Sequence, residues 1–440
     1  MSLRKINRRS PWCWIPTLYF AEGIPYVAVM TIAAILYKRM GVSNTEIALY
    51  TSWLYLPWVL KPLWSPFVDI LKTRRWWIIM MQLLVGAGLA GIAFTIPTSF
   101  FLQVTLAFFW LLAFSSATHD IAADGFYMLG LNEKKQAYFV GIRNTFYRFA
   151  VIFGQGILVM FAGWLEQRYA REMPETAAIP QAWSLTFYLL TILFALLFVY
   201  HYLFLPHPRR DTCTLPPQQA SAGRVFKEFL GTFTSFFQKK HIVSALIFIL
   251  LYRFAEAQLV KITSPFLLDT PATGGLALST AEVGFIYGTI GVIALTIGGI
   301  VGGIAMARRG LKSCLWTMTI AMNLPNIVYL YLSFARPESI GIISGCVAIE
   351  QFGYGFGFTS LTYFMMLFSN GKHQTAHYAI CTGFMALGLM LPGMISGWIE
   401  ESIGYRAFFV WIMLCTIPSF WATHLVRKNL TDNHSDNSSR

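Results

Sequence analysis

Charge is what this 440-residue sequence has least of: Asp, Glu, Lys and Arg together make up 12% of it, about half the share found in an ordinary soluble domain. Hydrophobic residues make up 56%, which is more apolar surface than a soluble core can hide, so a soluble globular chain is excluded. The six cysteines have no paired spacing; Cys13, Cys314, Cys346, Cys381 and Cys415 fall in or at the ends of apolar stretches. They read as small packing residues, with no disulfide or metal framework. A glycine loop followed by Lys-Ser/Thr is also missing, and with it the usual engine of ATP-driven transport. There is no His-rich array and no nucleophile elbow, and His377, Asp269 and Ser264 stand too isolated to make an enzyme site. No catalytic residue, metal or cofactor is therefore expected.

What the sequence does have is a series of apolar runs, each about 20 residues long and able to cross a bilayer as a helix. Spans are expected at about 12–37, 45–67, 76–96, 100–130, 135–164, 183–205, 241–267, 279–306, 311–334, 339–370, 372–400 and 404–426. The first is too long for a cleavable signal and stays as helix one. The expected class is an all-α polytopic membrane protein with 12 transmembrane helices. A polar stretch at 206–240, rich in Pro, Gln, Thr and basic residues, separates a six-helix half at 1–205 from a second at 241–426. A polar tail follows at 427–440 and is expected to be disordered, so the sequons at Asn429, Asn433 and Asn437 read as chance. Two similar halves with substrate between them is a common design of secondary transporters.

The formal charge of +13 suggests nucleic acid until the cations are located. Arg4, Lys5, Arg8 and Arg9, then Lys72, Arg74 and Arg75, then Arg209, Arg210, Arg224, Lys227, Lys239 and Lys240 all fall on one side of the expected spans. Positive loops stay cytoplasmic, so both termini are expected inside and no nucleic-acid partner is needed. Five cations fall within spans: Lys61, Arg143, Arg148, Arg253 and Lys261.

Charges inside a membrane are costly and mark ion or substrate paths. Asp120 and Asp124 lie four apart, on one helical face. Two carboxylates close together cannot both ionise cheaply, so one of them is expected to carry a proton. Counting from a turn near Asn132 sets Asp120 and Arg143 at similar depth and predicts an ion pair between them; a structural clamp is the alternative. His119 points elsewhere round the helix, and a hydrogen bond to a neighbouring helix is expected of it. Arg148, with Asn144 and Tyr147 beside it, suits an anionic group. In span seven Arg253 and Glu256 are three apart and able to neutralise each other, while Lys261 shares a face with Arg253. Lys261 either meets the same anion or snorkels outward, and Pro265 is expected to end the regular helix. Glu22 and Glu350 lie mid-span as further proton sites, Glu350 beside Gly353, Gly355 and Gly357, where backbones can approach closely. Aromatics, 16% of residues, suit sugar stacking as well as helix packing.

Two short loops correspond between the halves. Ser65-Pro-Phe-Val-Asp69-Ile-Leu-Lys72-Thr-Arg74-Arg75 and Gly302-Gly303-Ile-Ala-Met-Ala-Arg308-Arg309-Gly310 resemble the loop motif of the major facilitator superfamily. Asp69 with Arg74 and Arg75 is expected to latch one conformational state. Leu18-Tyr-Phe-Ala-Glu22-Gly-Ile-Pro25, Lys61-Pro-Leu-Trp64-Ser-Pro-Phe-Val-Asp69, Phe114-Ser-Ser-Ala-Thr-His119-Asp120-Ile-Ala-Ala-Asp124 and Glu282-Val-Gly-Phe resemble the AmpG-like muropeptide permease family. That branch of the superfamily is also related to acetyl-CoA transporters. The resemblance implies a symporter of the inner membrane that imports anhydro-muropeptides with protons, with Asp120 and Asp124 matching the family's paired acids and Arg253 a basic residue of its helix-seven motif; a monomer is expected. The chain departs from the family in His119, where Gln is common, and in stopping after span twelve. Two other readings stay open: the same fold carrying another anionic metabolite, an acyl-CoA or a sugar acid, in or out, and a membrane sensor that transports nothing.

Overall fold

The computed structural model describes residues 10–131, 133–208, 211, 231, 233–371 and 374–438. The basic residues Arg4, Lys5, Arg8, Arg9, Arg209, Arg210, Arg224 and Lys227 lie outside the described residues, as does the side chain of Asp69. Among the described residues every regular element is a helix, the arrangement that satisfies all backbone groups where no water is available.

Among the described residues, eight helical stretches are long and apolar enough to cross a bilayer. Two of them, Thr280–Ala335 with 56 residues and Ala376–Lys428 with 53, are long enough to cross twice. Each is broken by a glycine at positive φ, Gly310 at φ 71° and Gly404 at φ 76°. A β-carbon is strained in that conformation, so glycine serves as the helix stop. The expected boundaries near 306–311 and 400–404 fall at these two residues. Helices Asn44–Trp53, Leu56–Leu71 and Ile340–Ser369 complete the main series.

Proline chemistry accounts for a further break. Span two was expected as one piece but divides at Leu54 and Tyr55, because Pro57 has no N–H to offer the Trp53 carbonyl. Span seven differs from expectation in the other direction. Pro265 does not end it: the helix runs from Phe254 to Leu268, and the Asp269 N–H still reaches the Pro265 carbonyl at 2.8 Å. A proline in the last turn removes one hydrogen bond, too little to stop a well-packed helix. The interruption falls instead at Tyr252 and Arg253, where Arg253 has φ −109° and ψ 24°. Wide helical turns mark Ala28–Ile32, three residues past Pro25, and Phe153–Leu158 around Gly154 and Gly156, a local distortion that recurs at functional sites. The tail expected to be disordered continues the last helix to Ser438, since extending a formed helix costs little per residue.

The chain forms two compact units, one of residues 1–33 and 63–221, the other of residues 34–62 and 222–440. Trp14, Leu18, Tyr19, Ile78, Ala122 and Phe126 centre the first unit's core. Phe236, Phe248, Tyr252, Met318, Leu361 and Met365 centre the second's.

The glycines of the Ile340–Ser369 helix act as expected. A β-carbon on Gly355 would collide with the Leu295 carbonyl, and one on Gly353 with the Ala321 carbonyl. Gly355→Val should therefore push the two helices apart and destabilise the protein by about 3 kcal/mol, as overpacking does. An unchanged unfolding midpoint in detergent would show that the backbones are not in contact there.

Candidate functional site: buried charges in the two units

In the first unit the helices Ile15–Val27, Phe101–Gly130 and Glu133–Ile152 bring three acids together. Carboxylate oxygens of Glu22, Asp120 and Asp124 all lie within 4.8 Å of one another. Gly23 lets the first helix lie close to Glu133–Ile152, because a β-carbon there would sit 2.6 Å from the Ala150 β-carbon. Arg143 meets the cluster through a 3.0 Å ion pair to Asp124. Its guanidinium also donates to the Tyr19 hydroxyl at 3.0 Å and lies 4.6 Å and 5.1 Å from the Tyr19 and Tyr127 ring centres. The Tyr19 hydroxyl donates to Asp124 at 3.4 Å.

The ion pair falls on Asp124 where counting from the turn set Asp120 opposite Arg143. Helical side chains lean toward their own N-terminus. In this antiparallel hairpin Arg143 leans toward the loop and Asp124 away from it, so the two converge one turn nearer the loop than the α-carbons suggest. The pair is not sealed, with 25% of the arginine and 39% of the aspartate side chain exposed.

His119 makes the expected hydrogen bond to a neighbouring helix. Its Nε2 lies 3.0 Å from the Gln82 amide, and Gln82 Oε1 meets His201 Nδ1 at 2.9 Å, so His119 belongs to a buried packing network. Tyr147 lies beside Tyr26, with ring centres 6.4 Å apart and planes tilted by 48°, and within electrostatic reach of Glu22, Asp120 and Arg148. Asn144 is exposed. Arg148 has no hydrogen bond or ion pair among the described residues, which leaves its guanidinium available.

The second unit holds the rest. Arg253 is buried and donates to the Tyr354 hydroxyl, with Tyr354 and Phe358 ring centres each 4.9 Å away. Arg253 and Glu256 were expected to neutralise each other by spacing, yet no ion pair joins them among the described residues. Lys261 does not snorkel: it is 3% exposed and donates to Thr51 Oγ1 at 2.9 Å, with the Tyr55 ring centre 5.0 Å off. Glu350 is 1% exposed and accepts from Tyr329 at 3.2 Å and from Gln351 at 2.9 Å.

A polar clasp in the same unit was missed. Lys38 pairs with Asp269 at 2.7 Å, and the Tyr405 hydroxyl donates to Asp269 at 2.6 Å. Asn44 donates to Glu400 at 2.7 Å and to Tyr405 at 2.9 Å, while the Thr45 N–H donates to Glu401 at 3.1 Å. Asp269 stood alone in the sequence; the signal was that Lys38, Asp269 and Glu400 all end spans on the expected outer side. On the expected inner side the Asp69 side chain is not described. Arg74 and Arg75 open the Arg74–Thr95 helix, their N–H groups bound by Asp211 at 2.8 Å and 3.1 Å.

An apolar groove of about 390 Å³, lined by Trp64, Trp77, Leu111 and Phe114 among others, contains none of these charges. A lining that is apolar but for Ser115 and Thr118 offers no charge to an ion, so the charged clusters define the candidate site.

Residues 17–375 match the Major Facilitator Superfamily. Among curated proteins, "Putative transporter AmpG 4" of Rickettsia conorii is 25% identical, over 92% of this chain and 93% of its own. "Anhydromuropeptide permease" of Escherichia coli K12 is 24% identical, over 94% of this chain and 79% of its own. Among solved structures, a D-xylose-proton symporter superposes with a TM-score of 0.69 at 12% identity, over 94% of this chain and 96% of that one. The nucleoside transporter NupG gives 0.68 at 14% identity, over 94% and 98%; at such identities the likeness is one of fold. The chain is a multi-pass membrane transporter, not an enzyme, and it belongs to the Major Facilitator Superfamily.

Proposed function

We propose that this chain is a proton-coupled symporter that imports an anionic saccharide-peptide, an anhydro-muropeptide in the first instance. The observation that carries the reading is the meeting of Glu22, Asp120 and Asp124 around one arginine. Three carboxylates whose oxygens lie within 4.8 Å of one another repel in a low dielectric, and a bound proton relieves that repulsion. Arg143 holds Asp124 ionised until cargo or conformation displaces it. The cargo is suggested by the printed name of the Escherichia coli relative, and an anionic cargo fits Arg148, Arg253 and Lys261, three cations without an ion-pair partner among the described residues.

The working arrangement is two halves, 1–205 and 241–426, joined by the 206–240 linker, in the inner membrane with both termini cytoplasmic and the chain acting as a monomer. Asp69, Arg74 and Arg75 latch the cytoplasmic side, and the Lys38–Asp269 clasp holds the outer side.

The test is uptake of labelled anhydro-muropeptide into proteoliposomes with and without an inward proton gradient. Accumulation that depends on the gradient is the expected result. Equal uptake in both conditions removes the coupling, and no uptake by correctly folded protein transfers the cargo to another anionic metabolite.

A further inference from the structure

Glu256 and Glu350 come from different helices of the second unit, Phe254–Leu268 and Ile340–Ser369. Both are almost completely buried, 3% and 1% exposed, and they lie within electrostatic reach of each other. Oε2 of Glu256 and Oε1 of Glu350 have no hydrogen-bond partner among the described residues. The other Glu350 oxygen is held by Tyr329 and Gln351, and Tyr287 and Tyr329 lie within reach of both acids.

Few charges face the pair. Arg253 is within electrostatic reach of Glu256, but its guanidinium hydrogen-bonds Tyr354 instead. The ammonium of Lys261 is bound to Thr51. The Asn44–Trp53 helix carries Tyr50 and Glu46, whose carboxylate accepts from the Ser43 hydroxyl at 2.9 Å. The helix carrying Glu256 also packs on the Gln374–Leu414 stretch, which has no ionisable residue from Thr382 to Ile399. The helix carrying Glu350 packs on Val292–Asn323, which has none from Val292 to Ala307.

Two buried carboxylates with vacant oxygens and one nearby arginine do not both stay ionised. We propose that Glu256 and Glu350 share a single proton and form a second proton-carrying site, in the second unit, distinct from the Glu22, Asp120 and Asp124 cluster. The proton arrives from water, forms an O–H bond on Glu350, and returns to water when the site opens. Glu256, the acid nearer Arg253, stays ionised. Its use in transport rests on the symport reading above; its existence does not.

Infrared spectroscopy of the full-length protein in lipid reads the pair directly, through the carbonyl stretch of a protonated carboxyl. The wild type at neutral pH should show a band that is missing from E350Q. In E256Q the negative neighbour is gone, so the Glu350 band should titrate away at least one pH unit lower than in the wild type, and E350D should restore a band. In proteoliposomes E350Q should retain cargo exchange but accumulate at least tenfold less under a proton gradient. Identical spectra for E350Q and wild type would overturn the proposal, and so would a Glu350 band that titrates unchanged in E256Q. A band seen only after sodium is withdrawn would assign the pair to a metal cation, which also overturns it. Failure of the symport reading would show differently: no uptake by the wild type, with the band still present.

Discussion

Asp124→Asn should abolish uphill accumulation of the cargo while the transporter still folds and still exchanges cargo across the membrane. Asparagine keeps the shape of aspartate and an oxygen for the Tyr19 hydroxyl, which donates to Asp124 at 3.4 Å. It cannot take up or release a proton, and it gives Arg143 no charge to hold. Arg143 keeps its hydrogen bond to the Tyr19 hydroxyl and lies within electrostatic reach of Glu22, so the guanidinium is not stranded and the fold should survive the substitution. The effect on transport is large: one pH unit is worth 1.36 kcal/mol per proton, or tenfold in cargo ratio. A gradient of two units therefore supports roughly hundredfold accumulation per coupled proton, and the variant should show a ratio near one. Counterflow exchange, which needs no net proton movement, separates lost coupling from lost binding. Accumulation at the wild-type level would remove Asp124 from the proton path.

How much of this was legible beforehand differs between fold and site. Low charge, apolar runs and the one-sided distribution of basic residues are properties of the chain itself, and a bilayer turns them into helices with little freedom. The glycine turns at Gly310 and Gly404 were bracketed for the same reason, since polar residues or glycine must come where an apolar run stops. Local spacing was less informative about partners. Arg253 and Glu256 are three apart, yet Arg253 bonds Tyr354, which lies 101 residues away. Glu22 was visible as a costly acid, but its meeting with Asp120 and Asp124 is a contact between helices far apart in the chain. Asp269 looked isolated because its partners, Lys38 and Tyr405, are far away in sequence. Burial cost identifies which residues matter; contact across helices decides what each one does, and that information is not local.

Lys261 offers the sharpest separation between a structural and a functional charge. Its side chain is 3% exposed, its ammonium has one hydroxyl acceptor in Thr51, and the Tyr55 ring lies beneath it. No carboxylate pairs with it among the described residues. Burying an ammonium costs several kcal/mol, and a cation–π contact of about 2 kcal/mol with one charged hydrogen bond offsets part of that. A residue kept for stability would have an ion partner; one kept for a ligand is left short until an anion arrives. Lys261→Met keeps the length of the side chain and removes the charge, so the cargo-free protein should melt a few degrees higher, about what 1 kcal/mol yields in a chain of this size. Affinity for the anionic cargo should fall roughly a hundredfold, the equivalent of one charge-assisted pair of about 2.7 kcal/mol. Lys261→Arg, which keeps the charge, should restore part of the affinity. A lower melting temperature with unchanged affinity would make Lys261 a structural tie to the Asn44–Trp53 helix. A higher melting temperature with weakened binding would place it against the cargo, because a gain in stability on losing a residue is the mark of a group retained for function.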